Sequence, residues 1–229
     1  MNVPISKRLL ACAAMVAPDS RVADIGTDHG YLPVWLLKQG VATHVIACDL
    51  RAQPLASARA NAARFGVENI TFRLSDGLAE IRPEEVDTVV CAGIGGDLIA
   101  MILEAAPWLC DAHYTLILQP QSAAPALRRW LSEHGFGIRE EALVREGRFY
   151  YTVLRAGFGG AQPLSPGQQH LPPVLAASGS PLLPAYAARV EALLQTTVDG
   201  LASAQMQRPE KRAYYEQALR EVQEIRRTL

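Results

Sequence analysis

Carboxylates and glycines alternate at residues 24–30, which read D-I-G-T-D-H-G. An apolar run at 22–25 precedes the first glycine, and a helical pattern of apolar residues follows Gly30. A strand, a tight turn and a helix in this order form the place where a doubly wound sheet holds a nucleotide-like cofactor. A glycine is needed at Gly26 because a Cβ would block both the turn and the approach of the cofactor.

The charge of this turn indicates which cofactor it holds. Sites for dinucleotides read G-x-G-x-x-G and bind a pyrophosphate through backbone amides, whereas Asp24 and Asp28 would repel a pyrophosphate. S-adenosylmethionine has no phosphate and carries an amine and a sulfonium, so it fits the two acids. The pattern D-x-G-x-D-x-G also resembles the E/D-x-G-x-G-x-G motif of class I methyltransferases, with Asp28 replacing the middle glycine. The alternative is a strand–turn–helix without a ligand.

Two further acidic residues follow predicted strands. Asp49 ends an apolar strand about 20 residues after the glycine turn, where an acid accepts hydrogen bonds from ribose hydroxyls. We place Leu50 beside the cofactor with it; the alternative is that Asp49 caps a helix that begins near Pro54. Asp76 and Gly77 follow the strand at 70–74, where an aspartate of class I methyltransferases often binds the adenine amino group. A lone Asp-Gly is also an ordinary turn.

Glycines and a polar-proline turn follow the next two predicted strands, at 86–92 and 114–118. We assign Ala92 and Gly93 to the cofactor and Gly95, Gly96, Gln119 and Pro120 to the substrate. The Asn/Asp-Pro-Pro-aromatic motif of methyltransferases that act on exocyclic amines is missing at 92–97. The three glycines leave room for a large flat target to approach the backbone. The alternative is a glycine-rich turn with no substrate role.

The order of predicted elements defines an α/β fold. Alternating strands and helices end in an antiparallel pair at 137–145 and 149–156, which favours a Rossmann-like class I methyltransferase sheet with an antiparallel last strand. We expect the cofactor-binding domain at 1–157 and a proline- and glycine-rich linker or surface loop at 158–181. Apolar residues step by three and four through 182–229, which predicts a two-helix, coiled-coil-like hairpin. Its functional interpretation is an arm that grips a large substrate, and the alternative is a self-packed hairpin or a dimer contact.

Composition limits the partners. The chain has 229 residues and a net charge of −1, so any nucleic-acid binding must come from a local basic patch. The alternative for each candidate is a solvated surface residue without a partner. The candidates for this patch are Lys7, Arg8, Arg128, Arg129, Arg145 and Arg148. The four cysteines form no C-x-x-C pair, so we expect reduced core thiols and no metal site. The apolar stretches are too short to cross a membrane, and a cytoplasmic protein is expected.

Several motifs together resemble one family. The segments SKRL at 6–9, DIGTDHGYLP at 24–33, AGIGG at 92–96 and LILQP at 116–120, followed by the helical hairpin, are similar to those of the bacterial tRNA (adenine-22-N1)-methyltransferases. Ile94 stands where that family commonly has methionine. The resemblance implies a Rossmann-like methyltransferase domain followed by a coiled-coil domain. It also implies S-adenosylmethionine, a tRNA substrate and methylation of adenine N1 in the D-arm region.

The resemblance suggests roles for the residues of the turn. Asp28 is the best catalytic candidate, because a carboxylate can hold the exocyclic amine of adenine and offset the charge that develops on the base. Asp28 can equally bind the amine of the cofactor. His29 and Tyr31 are candidates to orient or stack the base, although Tyr31 also suits helix packing.

Other functions stay open at this stage. A class I methyltransferase for a small molecule or a protein would share the cofactor site and need no basic patch. A non-catalytic RNA-binding or scaffold protein needs no cofactor site. The joint presence of Asp24, Gly26, Asp49 and Asp76 therefore argues against this class of protein. We expect a monomer, with a dimer through the helical hairpin as the alternative.

Overall fold

A seven-stranded sheet lies at the centre of the computed structural model, which describes residues 2–203 and 209–229. The strands are β1 (Ser20–Ile25), β2 (Ala42–Asp49), β3 (Ile70–Leu74), β4 (Thr88–Ile94), β5 (Thr115–Pro120), β6 (Phe136–Glu146) and β7 (Phe149–Phe158). Their spatial order is β3-β2-β1-β4-β5-β7-β6. The first five are parallel, and β7 runs antiparallel to both β5 and β6. The predicted sheet with an antiparallel last strand is confirmed.

Helices connect the strands and form the C-terminal part of the chain. They are α1 (Lys7–Ala14), α2 (Tyr31–Lys38), α3 (Ala52–Phe65), α4 (Gly96–Glu104), α5 (Ala124–Glu133), α6 (Pro166–His170), α7 (Pro173–Ala176), α8 (Leu183–Ser203) and α9 (Pro209–Arg227). Ser6 caps the N-terminus of α1, where its side chain accepts a hydrogen bond from the Leu9 amide at 3.4 Å. The connection between α8 and α9, which we predicted as part of the hairpin, lies at 204–208, outside the described residues.

The core lies on both faces of the sheet. One apolar cluster packs α4 and α5 against the strands, and a second packs α1 and α2 against the opposite face. The prediction of core thiols is confirmed for Cys12 in α1 and for Cys48 and Cys91 in β2 and β4, which are completely buried. It is wrong for Cys110, which is exposed after the short helical turn at 107–109. Burial on both faces explains why these strands read as continuous apolar runs rather than as alternating patterns.

The segment after β7 packs onto the protein. It contains α6 and α7, and Leu171 and Leu175 are completely buried in one cluster with Leu143 of β6 and residues of α8 and α9. The helical hairpin is therefore joined to the sheet through a shared apolar core.

The buried face of α8 differs from the one that the sequence predicted. The predicted steps of three and four through 182–229 place Leu193 on that face with Val190, but Leu193 is 59% exposed. The buried residues are Leu183, Ala187, Val190 and Leu194. The prediction for Leu193 was wrong because Leu193 and Leu194 both satisfy a helical spacing. Only the packing of α8 on α9 and α7 determines which of the two is buried.

Arg128 is buried, contrary to its assignment to an RNA-binding patch. The side chain on α5 has no exposed surface and pairs with Glu141 of β6, which is also fully buried. Its Nη1 donates to the carbonyl oxygen of Gln169 at 2.8 Å, and its Nη2 donates to Thr152 Oγ1 at 3.3 Å. Arg128 cannot reach a phosphate, so it links α5, the β6–β7 pair and α6 instead.

A close approach of α6 to α9 depends on Gly167. A Cβ at this position would lie 2.4 Å from the Cβ of Glu221 on α9. The Gly167 amide donates to Glu221 Oε2 at 2.7 Å, and the Ser165 hydroxyl donates to the same atom at 2.5 Å. The two helices are therefore held at a distance that only glycine permits.

We expect Gly167→Ala to destabilise the protein by about 1–3 kcal/mol, because the new methyl group forces α6 away from α9. Gly200→Ala is the matched control: nothing lies within 4 Å of a Cβ there, and alanine in α8 should stabilise by about 0.5–1 kcal/mol. Urea denaturation of both variants measures the difference. Equal stability of the two would contradict this account of the contact.

Candidate active site

The loop between β1 and α2 is held in place from three sides. The amides of Gly26 and Thr27 both donate to the carbonyl oxygen of Cys48 on β2, at 2.9 and 2.8 Å. Gly30 has a φ of +67°, and a Cβ on it would lie 2.8 Å from the Cβ of Ala58 on α3. Asn61 Nδ2 donates to the carbonyl oxygen of His29 at 2.9 Å. These contacts fix the loop beside the carboxyl ends of β1 and β2.

A cleft of about 230 Å³ opens over this loop. It is also bounded by the N-terminal segment and α1, so the chain before β1 closes one side of it. The predicted site residues that line the cleft are Arg8, Asp24, Gly26, Asp28, His29, Tyr31 and Ala92. Five of these seven residues lie at 24–31, so the pattern of a single loop identified one side of the cleft.

Asp24 is the buried acid of the cleft. It is 5% exposed, and burial raises its pKa to about 6. The Thr27 hydroxyl lies near the Asp24 carboxylate and lowers its pKa, which opposes the effect of burial. The two groups do not have the geometry of a hydrogen bond. Thr27 Oγ1 is itself buried and has no hydrogen-bond partner within the described part of the chain. A buried acid beside an unsatisfied hydroxyl suits a ligand that brings a cationic amine.

Arg8 lies in the cleft and not in a surface patch. Its Nη1 donates to Gln119 Oε1 at 2.9 Å, and the Gly93 amide donates to the same oxygen at 3.0 Å. Gln119 is completely buried and donates through Nε2 to the carbonyl oxygen of Pro120 at 3.1 Å. Because Gln119 and Pro120 are both buried, their assignment to substrate contact was wrong. Gln119 positions Arg8 and Gly93, a pairing that no sequence signal indicates.

Asp49 and Asp76 lie at the same edge of the sheet as the loop. Asp49 is 8% exposed, and its Oδ1 accepts the Arg51 amide at 2.8 Å, which shapes the turn before α3. Leu50 is 65% exposed next to it. Asp76 is exposed after β3, and Gly77 follows with a φ of +53°. Their contacts with ribose and adenine stay predictions.

The glycines after β4 have different roles. Gly96 is buried, its amide donates to the Ser122 carbonyl oxygen at 2.9 Å, and a Cβ on it would lie 2.6 Å from the Ala123 carbonyl oxygen. Its assignment to substrate contact was therefore wrong, because the close packing of α4 on the segment before α5 requires this glycine. Gly93 is exposed with a φ of +78°, and Gly95 is half-buried. Neither glycine lines the cleft itself, although Gly93 lies beside Arg8, which does, so their contacts with cofactor and substrate stay predictions.

Asp28, His29 and Tyr31 lie at the mouth of the cleft. The Asp28 side chain is 74% exposed, and its Oδ2 lies 3.6 Å from His29 Nε2. The ring centroids of His29 and Tyr31 are 5.7 Å apart. The side chains of Asp28 and His29 therefore face solvent next to the buried acid, where a second molecule can meet the cofactor. Tyr31 is half-buried and packs against the cluster of Val34, Ala62 and Phe65, which agrees with its alternative role in helix packing.

The remaining basic residues do not form a single patch. Lys7 and Arg145 border one shallow groove, and the guanidinium of Arg148 lies 5.1 Å from the ring centroid of Phe149. Arg129 borders a different cleft, beside α9. An RNA-binding surface built from these residues therefore has to include at least two separate areas of the molecule.

The described residues contain no group of three or more His, Cys, Asp or Glu side chains placed to hold a metal ion. In the same part of the chain, no helix combines the length and the apolar character needed to cross a bilayer.

The sheet order, the antiparallel β7 and the acid-lined turn after β1 define a class I methyltransferase. Residues 5–154 match a family described as a methyltransferase domain. The chain is 36% identical over 159 residues to the tRNA (adenine(22)-N(1))-methyltransferase of Bacillus subtilis, which covers 69% of this chain and 67% of that protein. The chain belongs to the bacterial tRNA (adenine-22-N1)-methyltransferase family.

Solved structures agree over the whole length. The structure of the B. subtilis m1A22 tRNA methyltransferase gives a TM-score of 0.82 at 28% identity and covers 99% of both chains. A candidate tRNA (m1A22) methyltransferase of Streptococcus pneumoniae, solved in complex with S-adenosyl-L-methionine, also gives 0.82, at 32% identity, and covers 96% of this chain and 99% of that one. The helical hairpin is therefore part of the shared fold.

Asp24→Asn should stabilise the ligand-free protein at neutral pH, because the buried carboxylate then carries no charge. The pKa of Asp24 rises from 3.8 to about 6, a shift of about two units or on the order of 3 kcal/mol. A raised pKa gives stability that is complete below about pH 4 and is lost as the pH rises through about 6. The variant should therefore exceed the wild-type Tm above pH 6 and match it near pH 4.

Thermal unfolding of the ligand-free protein across this pH range measures the effect, and Asp28→Asn, a change at an exposed carboxylate, should leave Tm unchanged. A Tm difference that does not depend on pH would contradict the burial argument.

Proposed function

We propose that this chain transfers the methyl group of S-adenosylmethionine to N1 of an adenine in tRNA, at position 22 in the D-arm region. The observation that carries the proposal is the cleft, in which a buried acid, an unsatisfied hydroxyl and an arginine lie beside an exposed carboxylate. The family to which the chain belongs supports the choice of tRNA. The alternative is a class I methyltransferase that acts on a small molecule or a protein.

The cofactor-binding residues divide by charge. We assign the amine to Asp24 with Thr27 and the carboxylate to Arg8, since these are the buried acid and the guanidinium of the cleft. Asp49 is assigned to the ribose, and Leu50, Asp76 and Gly77 to the adenine, because they follow β2 and β3 at the same edge. The small or absent side chains at Gly26, Ala92 and Gly93 let the cofactor approach the backbone. S-adenosylmethionine, when bound, supplies an electrophilic methyl group on a sulfonium.

Catalysis rests on orientation and charge. The N1 atom of adenine has an in-plane lone pair, so no residue has to remove a proton before the transfer, and the methylated base is a cation. Asp28 is assigned to accept a hydrogen bond from the exocyclic amine and to offset the developing positive charge. His29 and Tyr31 are assigned to hold the plane of the base. Because N1 lies on the pairing edge, the adenine must leave its stack.

Incubation of the purified protein with labelled S-adenosylmethionine and unmodified tRNA tests the activity. Nucleoside mass spectrometry of the product should show 1-methyladenosine, and an adenine-22 substitution in the tRNA should abolish it. Cofactor binding with label found only in protein or in a small molecule would support the alternative instead.

Asp28→Asn should lower kcat for methyl transfer about 10²–10³-fold, the range for removal of one group that stabilises charge in a transition state. The dissociation constant of S-adenosylmethionine, measured by calorimetry, should change little, because the side chain points to solvent at the mouth of the cleft. Cofactor affinity that falls in proportion to activity would instead assign Asp28 to the amine of the cofactor.

Arg8→Ala should weaken cofactor binding more than tenfold, because a charge-assisted hydrogen bond contributes about 1.5–3 kcal/mol. Arg8→Lys should recover only part of the affinity, because lysine cannot satisfy Gln119 and a carboxylate with one planar fork. Lys7→Ala, a change at the exposed neighbour, is the matched control and should leave cofactor affinity unchanged. Equal losses in the two alanine variants would exclude Arg8 as a cofactor ligand.

We further propose that the protein acts as a monomer in the cytoplasm, where its tRNA substrate resides. The monomer is supported by the hairpin, whose apolar faces on α8 and α9 are buried within the chain. Light scattering at assay concentration measures the mass directly.

A further inference from the structure

We infer that a second cleft, bordered by α5, α6 and α9, binds an unpaired nucleotide that flanks the target adenine. The inference rests on the proposed function. The cleft has a volume of about 510 Å³ and shares no lining residue with the cofactor cleft.

Aromatic rings form one wall of this cleft. Tyr214 and Tyr215 of α9 have ring centroids 5.1 Å apart at an angle of 86°, and His170 of α6 lies 6.3 Å from each. Burial lowers the pKa of His170 to about 4, so its ring is neutral at physiological pH. Rings of this kind are the surfaces on which unstacked bases of RNA pack.

Two cations border the same cleft without an acidic partner among residues 2–203 and 209–229. Arg129 and Lys211 are exposed and form no ion pair within the described residues, although Lys211 Nζ lies 6.0 Å from the ring centroid of Tyr215. Arg212, the next residue on α9, does pair, with Glu216 at 2.7 Å. Cations without a partner beside aromatic rings suit a phosphate and its base.

Acidic groups also border the cleft. Asp97 lies in the first turn of α4, and Glu210 lies in the first turn of α9. A carboxylate repels phosphate but accepts hydrogen bonds from the exocyclic amine of a base. The cleft therefore has cations that can bind the phosphate of a nucleotide and carboxylates that can bind its base. We expect the bound base to carry an amino group.

The distance between the clefts suits one RNA strand. Ala92 lines the cofactor cleft and Asp97, five residues later, lines the second. Their Cα atoms can be at most about 18 Å apart, since an extended chain spans 3.3–3.6 Å per residue. A target adenine that leaves its stack unstacks its neighbours as well, and this second cleft offers one of them a place.

The cleft is built from ordered groups. The Tyr214 hydroxyl donates to Gln169 Oε1 at 2.7 Å, and the carbonyl oxygen of Gln169 accepts Nη1 of the buried Arg128 at 2.8 Å. The aromatic wall is thus tied to the ion pair that joins α5 to β6, and a nucleotide would find a preformed surface.

Steady-state methylation of unmodified tRNA tests the inference with an Arg129→Ala/Lys211→Ala double variant. KM for tRNA should rise at least tenfold, and the slope of log affinity against log salt should fall by about 1.5–2, as for the loss of two phosphate contacts. Cofactor affinity should stay at the wild-type value, because neither residue borders the cofactor cleft.

The matched control is Arg212→Ala/Arg220→Ala, which removes two exposed cations from α9 outside the cleft. A second arm uses tRNAs with an abasic residue at successive positions beside the target. An abasic residue at one of these positions should raise the KM of the wild-type protein for tRNA. It should raise the KM of the Arg129/Lys211 variant less, because base and phosphate are bound together.

The outcomes separate the two hypotheses. If the wild-type protein makes 1-methyladenosine and the Arg129/Lys211 variant matches it or the control, the nucleotide site is wrong and the proposed function stands. If the wild-type protein methylates no tRNA, the proposed function is wrong and the nucleotide site fails with it.

Discussion

The buried pair of Arg128 and Glu141 is the interaction on which the arrangement of the molecule depends. Both side chains are completely buried, and the guanidinium also binds Thr152 and the backbone of Gln169. Removal of one partner of such a pair generally costs about 3–5 kcal/mol, because the other charge stays buried alone. Its directional bonds fix the angle between the sheet and α6, and α6 in turn holds α9. Together with the shared apolar core and the contact of Gly167 with Glu221, this ion pair sets the placement of the helical hairpin.

The catalytic half depends on a different constraint, the short connection from β1 to α2. Glycines at 26 and 30 let the loop turn against β2 and α3, so that the acids of the loop face the cleft. Asp24 is kept from water while Asp28 is not, although they are four residues apart. Two carboxylates in one loop thereby have different environments, which allows one to bind a cofactor and the other to face a substrate.

The sequence predicted what local patterns encode. Apolar runs and glycines gave the sheet, its antiparallel end and the loop at residues 24–30, because each feature is a property of neighbouring residues. Contacts between distant residues were missed. Nothing in the sequence shows that Arg128 faces Glu141, that Gln119 lies beneath Arg8, or that Leu194 rather than Leu193 faces the core. The sequence around an arginine does not show whether its side chain is solvated or buried. That depends on a partner residue that is distant in the sequence.

The position of β7 has a consequence for the order in which the chain folds. β7 lies between β5 and β6, so the outer edge of β5 stays unpaired until residue 158 has been made. Gln169, which completes the contacts of Arg128, is synthesised later still. A chain emerging from the ribosome can pair β1 to β5 early. The outer edge of β5 then stays open, and the Arg128–Glu141 pair lacks its contact with Gln169, until residues 149–169 are available. The segment from β7 to α6 therefore also completes the folding of the sheet that precedes it.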